Sequence, residues 1–197
     1  MVDQIGDPDI WSTIDPEDLW IYDKLIVSRK LGYLCGPAGV PPPAAGRYIV
    51  RPCVNFRMMS AGAQFIELAP DNHDCVPHGH FWCEIFEGRQ MSFDYHFGKQ
   101  VLAVEGFRED GDRLDRFSRW DKMEDFAYTL PESIQQVANK NEWLNVEVIG
   151  GKIIEVHLRY NDDFRNHTGT TIIPVWKDQF YSSDCGDRLG FIIKMRP

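Results

Sequence analysis

The sequence has no CxxC pair, no apolar run long enough to cross a bilayer, no internal repeat and no low-complexity tract. GxGxxG and GxxxxGK(S/T) are also missing, which removes the commonest dinucleotide-binding and P-loop readings. Positive charge is in the minority, with 21 Lys and Arg against 30 Asp and Glu and a formal net charge of −9. Such a chain repels a phosphate backbone, so nucleic-acid binding over the whole surface is not expected, while a local basic pocket is allowed. The start, MVDQIGDPDIW, has neither a basic n-region nor an apolar h-region, so it does not read as a signal peptide. The five cysteines (Cys35, Cys53, Cys75, Cys83, Cys185) are odd in number and read as free thiols in a reducing compartment, which makes the expected location cytoplasmic, with no membrane association. The 197 residues are 43% hydrophobic and 26% charged, ordinary globular values that exclude wholesale disorder and leave room for a full core.

Residues 1–18 read as an acidic N-terminal arm, loosely held up to about residue 14, and 19–197 as one domain. A helix should start at Asp15, with Pro16 at its first position and Glu17 and Asp18 against the positive end of its dipole. The three- and four-residue spacing of Leu19, Tyr22, Ile26, Lys30 and Tyr33 carries it to about Gly32. GPAGVPPPAAG (36–46) is a connector, because proline removes donors and glycine frees the chain. RYIVRPCV (47–54) and QFIELA (64–69) should pair as a hairpin. HFWCEIFEG (80–88), RQMSFDYHFG (89–98) and KQVLAVEGFRE (99–109) should form a three-strand meander. Residues 110–122 read as a polar excursion and 131–141 as a helix. In 144–159 two alternating runs flank Gly150-Gly151, the strongest hairpin signal in the chain. TTIIPVW and GFIIKMR are two further strands. The fold class is therefore α+β with mostly antiparallel sheets and a few helices.

Three groups of residues carry chemistry. Alternation puts Glu155, His157 and Arg159 on one face of the last hairpin. Centring that hairpin on its glycines pairs Ile149 with Lys152, Glu147 with Ile154 and Asn145 with Val156, leaving Glu147 diagonal to Glu155. Two carboxylates that close repel, and a hard divalent cation, Mg²⁺ or Mn²⁺, relieves them. The bland reading is a solvated strand face with a Glu–Arg pair. A second group, His73, His78, His80 and Glu84, has the HxHxxxE spacing of a cupin metal motif, against a histidine-bearing loop entering a strand. The third is basic: Lys24, Arg29, Lys30, Arg51 and Arg57, able to gather around phosphate or to serve as ordinary salt-bridge partners.

Read in order, these pieces resemble the ATP-grasp superfamily. Asp23-Lys24-Leu25 followed by Gly39-Val40-Pro41 is similar to the family's opening segment, whose lysine reaches the nucleotide phosphates. Tyr48-Ile49-Val50-Arg51-Pro52 resembles the strand before the loop that covers the triphosphate, and Asn55 to Ala63 stands for that loop. Cys83 through Ser92 is similar to the segment that holds adenine and ribose, which implies Glu84, Ile85, Phe86 and Gln90 as cofactor-binding residues. Val146-Glu147 and Ile154-Glu155-Val156-His157-Leu158-Arg159 resemble the pair that holds the catalytic magnesium, which implies Glu147, Glu155 and His157 as metal ligands. The resemblance covers about residues 20–160. It implies two small lobes, about 47–82 and 83–197, with an adenine slot lined by Ile49, Ile85, Phe86 and apolar residues near Leu144.

Arg51 stands where lysine is usual, Gln90 where an acid is usual and His157 where asparagine is usual; Asn145 replaces an arginine. The resemblance implies a carboxylate–amine ligase core like that of D-alanine–D-alanine ligase. ATP and Mg²⁺ (or Mn²⁺) would be cofactors, Lys24, Arg51 and Arg159 would neutralise phosphoryl charge, and a small carboxylate and an amine would be joined through an acylphosphate. The family's separate N-terminal substrate domain is not expected here, a reduction that suits a phage or other mobile element. The rival expectations are an inactive nucleotide-binding or structural protein of the same fold, and a cupin-type metal-binding β-protein. Exposed β-edges are compatible with a homodimer.

Overall fold

The computed structural model describes residues 7–54, 62–109, 114, 116–165, 168–179 and 188–195. The expected helix start is present: Asp15 accepts from the Glu17 amide at 3.0 Å. The helix is not continuous, however. A 3₁₀ turn, Pro16–Tyr22, stops at Asp23, whose carboxylate accepts from Leu25 N at 2.9 Å and Ile26 N at 3.0 Å and starts a second helix, α2 (Lys24–Lys30). A short carboxylate able to bond its own backbone cuts the apolar stripe in two. From Asp7 onward the arm is also held to the core. It carries a short helix, α1 (Asp7–Trp11), and Ile10, Trp11 and Ile14 pack on the main core.

A four-stranded antiparallel sheet contains β1 (Cys35–Pro37), β2 (Gly46–Pro52), β3 (Gln64–Leu68) and β4 (His80–Cys83), in the order β1-β4-β2-β3. The expected β2–β3 hairpin is there, with Tyr48 opposite Ile66. The connector 36–46 contributes β1 at its start, held by Ala38 N to His80 O. Of the expected meander over 80–109 only the last two strands, Gln90–His96 and Lys99–Arg108, pair with each other; the first does not join them. The apolar run breaks after Cys83, where the Glu84 amide turns to Leu34 O and its carboxylate takes the Leu34 amide. Glu84–Arg89 then crosses from the small sheet to the large one.

The second sheet has seven antiparallel strands: β5 (Gln90–His96), β6 (Lys99–Arg108), β7 (Phe117–Lys122), β8 (Trp143–Ile149), β9 (Lys152–His157), β10 (Thr171–Trp176) and β11 (Arg188–Lys194), in the order β11-β10-β7-β6-β5-β8-β9. The expected excursion at 110–122 therefore ends in a strand, where Phe117 is buried against the Trp120 ring. Helix α3 (Glu132–Lys140) places Ile134, Val137 and Ala138 against Phe93, Leu144 and Val146. Full burial of an Ile134-sized side chain contributes about 2 kcal/mol. At the β9 edge, the outward amides of Ile153 and Leu158 are taken by the hydroxyls of Tyr33 (2.9 Å) and Tyr22 (3.2 Å), so this edge is covered.

The β8–β9 hairpin turns at Gly150-Gly151 as expected, with Ile149 opposite Lys152. Its register differs further in. The structure pairs Val148 with Ile153, Glu147 with Glu155 and Asn145 with His157, shifting between Glu147 and Val148. The expected pairs Glu147–Ile154 and Asn145–Val156 are thus replaced. One extra residue, Ile154, is bulged out of β9, and the slip brings the two glutamates directly opposite. The turn itself sits on the crossing segment: Gly150 N donates to Arg89 O at 3.0 Å, and a Cβ on Gly150 (φ 57°) would collide with the Glu87 carbonyl.

Candidate active site

Residues directly opposite in an antiparallel sheet share a face. The β5–β8 and β8–β9 registers therefore align Ser92, Glu147 and Glu155 in one row and Asp94, Asn145 and His157 in the next. The opposite face carries Leu144, Val146 and Val148 into the core. Alternation of charged and apolar residues thus turns one sheet face into a polar floor.

On that floor Glu147, Glu155 and His157 offer ligand atoms that all lie within 4.8 Å of one another. Two carboxylates and an imidazole fit a divalent cation in number and chemistry. Burial, and then the charge of Glu155, push the Glu147 carboxyl above the usual carboxylate range. A cation would relieve this repulsion. Burial disfavours charge on His157, but Glu155 and the hydrogen bond to Asp7 outweigh it, and the imidazole is pushed up to about 9. Its Nδ1 lies 2.8 Å from Asp7 Oδ2, and its Nε2 3.3 Å from Glu155 Oε1. Arg159 Nε donates to the other Asp7 oxygen at 2.9 Å.

The cations arrive from the first half of the chain. Lys24 N donates to Cys53 O at 2.8 Å, which ties the start of α2 to the end of β2. Its Nζ, on a side chain 6% exposed, lies 3.3 Å from Glu155 Oε1. Arg51 Nη1 donates at 2.8 Å to the carbonyl of Ile154, the bulged residue. Burial lowers the pKa of Arg51, opposed by Cys83 and Glu155. The Arg51 Nε is buried without a hydrogen-bond partner.

Between the two sheets runs an apolar cleft of about 510 Å³, counting the part open to solvent. Arg51, Ile49 and Phe65 line one side; Ile85, Phe86 and Ile154 are on the other walls. Ile49, Ile85 and Phe86 thus line one cleft, joined by Ile149 from the strand of Leu144, while Leu144 itself is fully buried in the α3 core. Glu84 also lines the cleft, but its carboxylate is engaged with Leu34 N and with Lys152 at 3.4 Å. Lys152 Nζ lies 4.6 Å over the Phe86 ring. Gln90 is buried, and its Oε1 accepts from Arg108, which lines the cleft. The proposed phosphate loop Asn55–Ala63 lies mostly outside the described residues, as do Arg57, His167 and Cys185.

The structure therefore brings together Lys24, Glu147, Glu155, His157 and, through Asp7, Arg159, with Arg51 one carbonyl away. It does not gather His73, His78, His80 and Glu84: among the described residues the metal-type cluster is Glu147, Glu155 and His157. Two participants were missed in the sequence. Asp7 looked like one more acid in a loose arm. Asp94, in the middle of a strand, accepts from Asn145 Nδ2 at 2.7 Å and Asn161 N at 2.9 Å. Its central place among FDY apolar neighbours was the available signal, since a carboxylate there demands partners. Among the described residues, no helix is long and apolar enough to cross a membrane.

The chain matches no protein-family model and no curated protein. Solved structures do match it. A candidate ATP-grasp superfamily protein from Archaeoglobus fulgidus is 15% identical, with a TM-score of 0.50 over 89% of this chain and 64% of its own. D-alanine–D-alanine ligase from Bacillus anthracis, solved with ATP, is 13% identical, with a TM-score of 0.41 over 71% of this chain and 55% of its own. The ATP-grasp ligase PsnB, solved with a minimal precursor, Mg and ADP, is 13% identical, with a TM-score of 0.43 over 76% and 53%. The chain spans about half to two thirds of the length of these structures. What the likeness to the archaeal protein shows is the fold: the chain has an ATP-grasp-like α+β fold.

Proposed function

We propose that the chain binds ATP with a divalent cation between its two sheets and acts as a carboxylate–amine ligase. Two lobes of one domain, about 47–82 and 83–197, would hold the nucleotide between them, with residues 1–18 as an arm. The observation that carries the reading is the convergence of Glu147, Glu155 and His157 within 4.8 Å beside the Lys24 ammonium, with Glu155 next in sequence to Ile154, which lines the cleft and whose carbonyl holds Arg51. Acids to hold a cation, cations to meet phosphate and a dry apolar slot are the three things a magnesium–triphosphate requires.

In this reading Ile49, Ile85 and Phe86 enclose the base and exclude water. Glu147, Glu155 and His157 hold the cation, which supplies Lewis-acid neutralisation of phosphate charge. Lys24, Arg51 and Arg159 stabilise the negative charge that develops as a substrate carboxylate oxygen bonds the γ-phosphorus and the bond to ADP breaks. An amine then bonds the acyl carbon as phosphate leaves and its proton is lost, which gives the amide. The protein's contribution is position and electrostatics.

One observation favours the rival reading of a binder that has lost the reaction. Asp7, Glu147 and Glu155 face Lys24, His157 and Arg159, so the network balances its own charge. The two are separated by ADP release from MgATP in the presence of mixed small carboxylates and amines, with Glu155→Gln as control. A ligase sustains ADP release over many turnovers only with both co-substrates, and the variant does not. Nucleotide binding without release supports the binder; release unchanged in Glu155→Gln refutes the cation assignment.

A further inference from the structure

We propose that Asp7 is a positioning residue that holds the His157 imidazole with Nε2 turned into the carboxylate pair, and that the resulting Glu–Glu–His donor set makes the cation site prefer Mn²⁺ over Mg²⁺. The inference rests on the cation reading above and deepens it.

The ring orientation is fixed from both ends. Nδ1 is 2.8 Å from Asp7 Oδ2, while Nε2 points to Glu155 Oε1 at 3.3 Å, on the side where Glu147 also converges. An ionised carboxylate only accepts, so the hydrogen on Nδ1 belongs to the bond with Asp7. The lone pair that an imidazole can offer a cation is then on Nε2, which faces Glu155. A ligand histidine whose other nitrogen is held by a carboxylate is a recurrent arrangement, and it fixes tautomer and ring plane while raising ligand basicity.

Asp7 is itself anchored. Arg159 Nε holds its second oxygen at 2.9 Å. The rest of α1 is fixed by Ile10 and Trp11 on the core, with the Trp11 ring edge-on to Tyr22 at 5.6 Å. A residue 150 positions away in sequence thus sets the geometry of the nitrogen donor.

The consequence for selectivity follows from ligand chemistry. Oxygen-only sets suit Mg²⁺, which resists nitrogen ligands and binds few of its partners through protein. An imidazole moves preference toward first-row transition ions, and among these Mn²⁺ is the one that also suits carboxylates and phosphate oxygens.

The test uses the full chain and the metal ions themselves. Mn²⁺ binding is measured from the electron paramagnetic resonance of the free ion, with Mg²⁺ as competitor, with and without ADP. Electron spin-echo modulation of bound Mn²⁺ reports a directly coupled nitrogen. The parent should bind Mn²⁺ more tightly than Mg²⁺ and show the nitrogen signal. Asp7→Ala should weaken Mn²⁺ binding by about 10–100-fold and diminish that signal. Asp7→Asn, whose amide oxygen can accept the same bond, should recover part of the loss and keeps the test decisive should the alanine variant not fold. His157→Asn should lose the signal and the Mn²⁺ preference while still binding Mg²⁺. Bound Mn²⁺ without nitrogen modulation overturns the ligand assignment and leaves the cation reading standing. Unchanged affinity and signal in Asp7→Ala and Asp7→Asn overturn the role of Asp7. Failure to bind either ion, with or without ADP, overturns the cation reading as well.

Discussion

The Asp94 carboxyl is buried at the centre of the large sheet and touches the site floor through Asn145. Burial raises its pKa from 3.8 to about 6, against the lowering influence of Asn161 N–H, Asn145 and Arg159. The folded protein therefore holds this proton to a higher pH than the unfolded chain does. The stability gained is fully present below 3.8 and is lost as pH rises through about 6. At about 1.4 kcal/mol per pH unit, the whole difference is about 3 kcal/mol. Asp94→Asn carries no titrating group, keeps the shape and retains one acceptor for Asn161 N. Urea unfolding of both proteins from pH 4 to pH 7 isolates the effect, because all other groups cancel in the difference. Relative to the parent, the variant should gain about 2–3 kcal/mol across that range. A difference that stays constant to within about 0.5 kcal/mol refutes the reasoning, since surface-like substitutions vary by no more than that.

Three further outcomes are expected. Gly150→Ala meets the Glu87 carbonyl and a φ of 57°, so it should lower the melting temperature by the equivalent of about 1–3 kcal/mol, and exchange of the amide at position 150, which donates to Arg89 O, should quicken. His157, pushed up to about 9, adds stability that is complete below its ordinary 6.5 and lost as pH rises through 9. A cation that needs the neutral ring must displace this proton, so calorimetry in buffers of different ionisation heat should show affinity rising between pH 7 and 9 with proton release. Lys24→Met removes one partner of a buried pair, and it should cost a few kcal/mol of stability without cation and less with saturating Mn²⁺, read as urea midpoints.

The sequence was most legible where the signal was local. Gly150-Gly151 flanked by alternating runs announced its hairpin, and the β-branched run 47–54 and the alternating run 64–69 paired as their patterns required. The acids were also legible as a group, because alternation alone puts Glu155 and His157 on one face. The register was not. A bulge adds one residue without changing composition, and Ile153-Ile154 reads the same in or out of the ladder. The break at Glu84 was hidden because Ile85 and Phe86 continue the apolar run; they are apolar to line a cleft rather than to extend a strand. Asp23 fits a continuous helix by position, but a short carboxylate is as able to cap a helix as to ride on it. Asp7 was least legible of all. Its partners, His157 and Arg159, lie on the last strand of the hairpin and just beyond it, and no local pattern points across that distance.

A single nucleotide–cation site formed by the cleft and the acid cluster is tested by equilibrium titration of ADP into the full chain, with and without a divalent cation, with Arg51→Met and Glu155→Gln as companions. Binding should be saturable and one-to-one, require the cation and be lost or greatly weakened in both variants. Binding that is indifferent to the cation and to both substitutions, or no binding at all, contradicts the shared site.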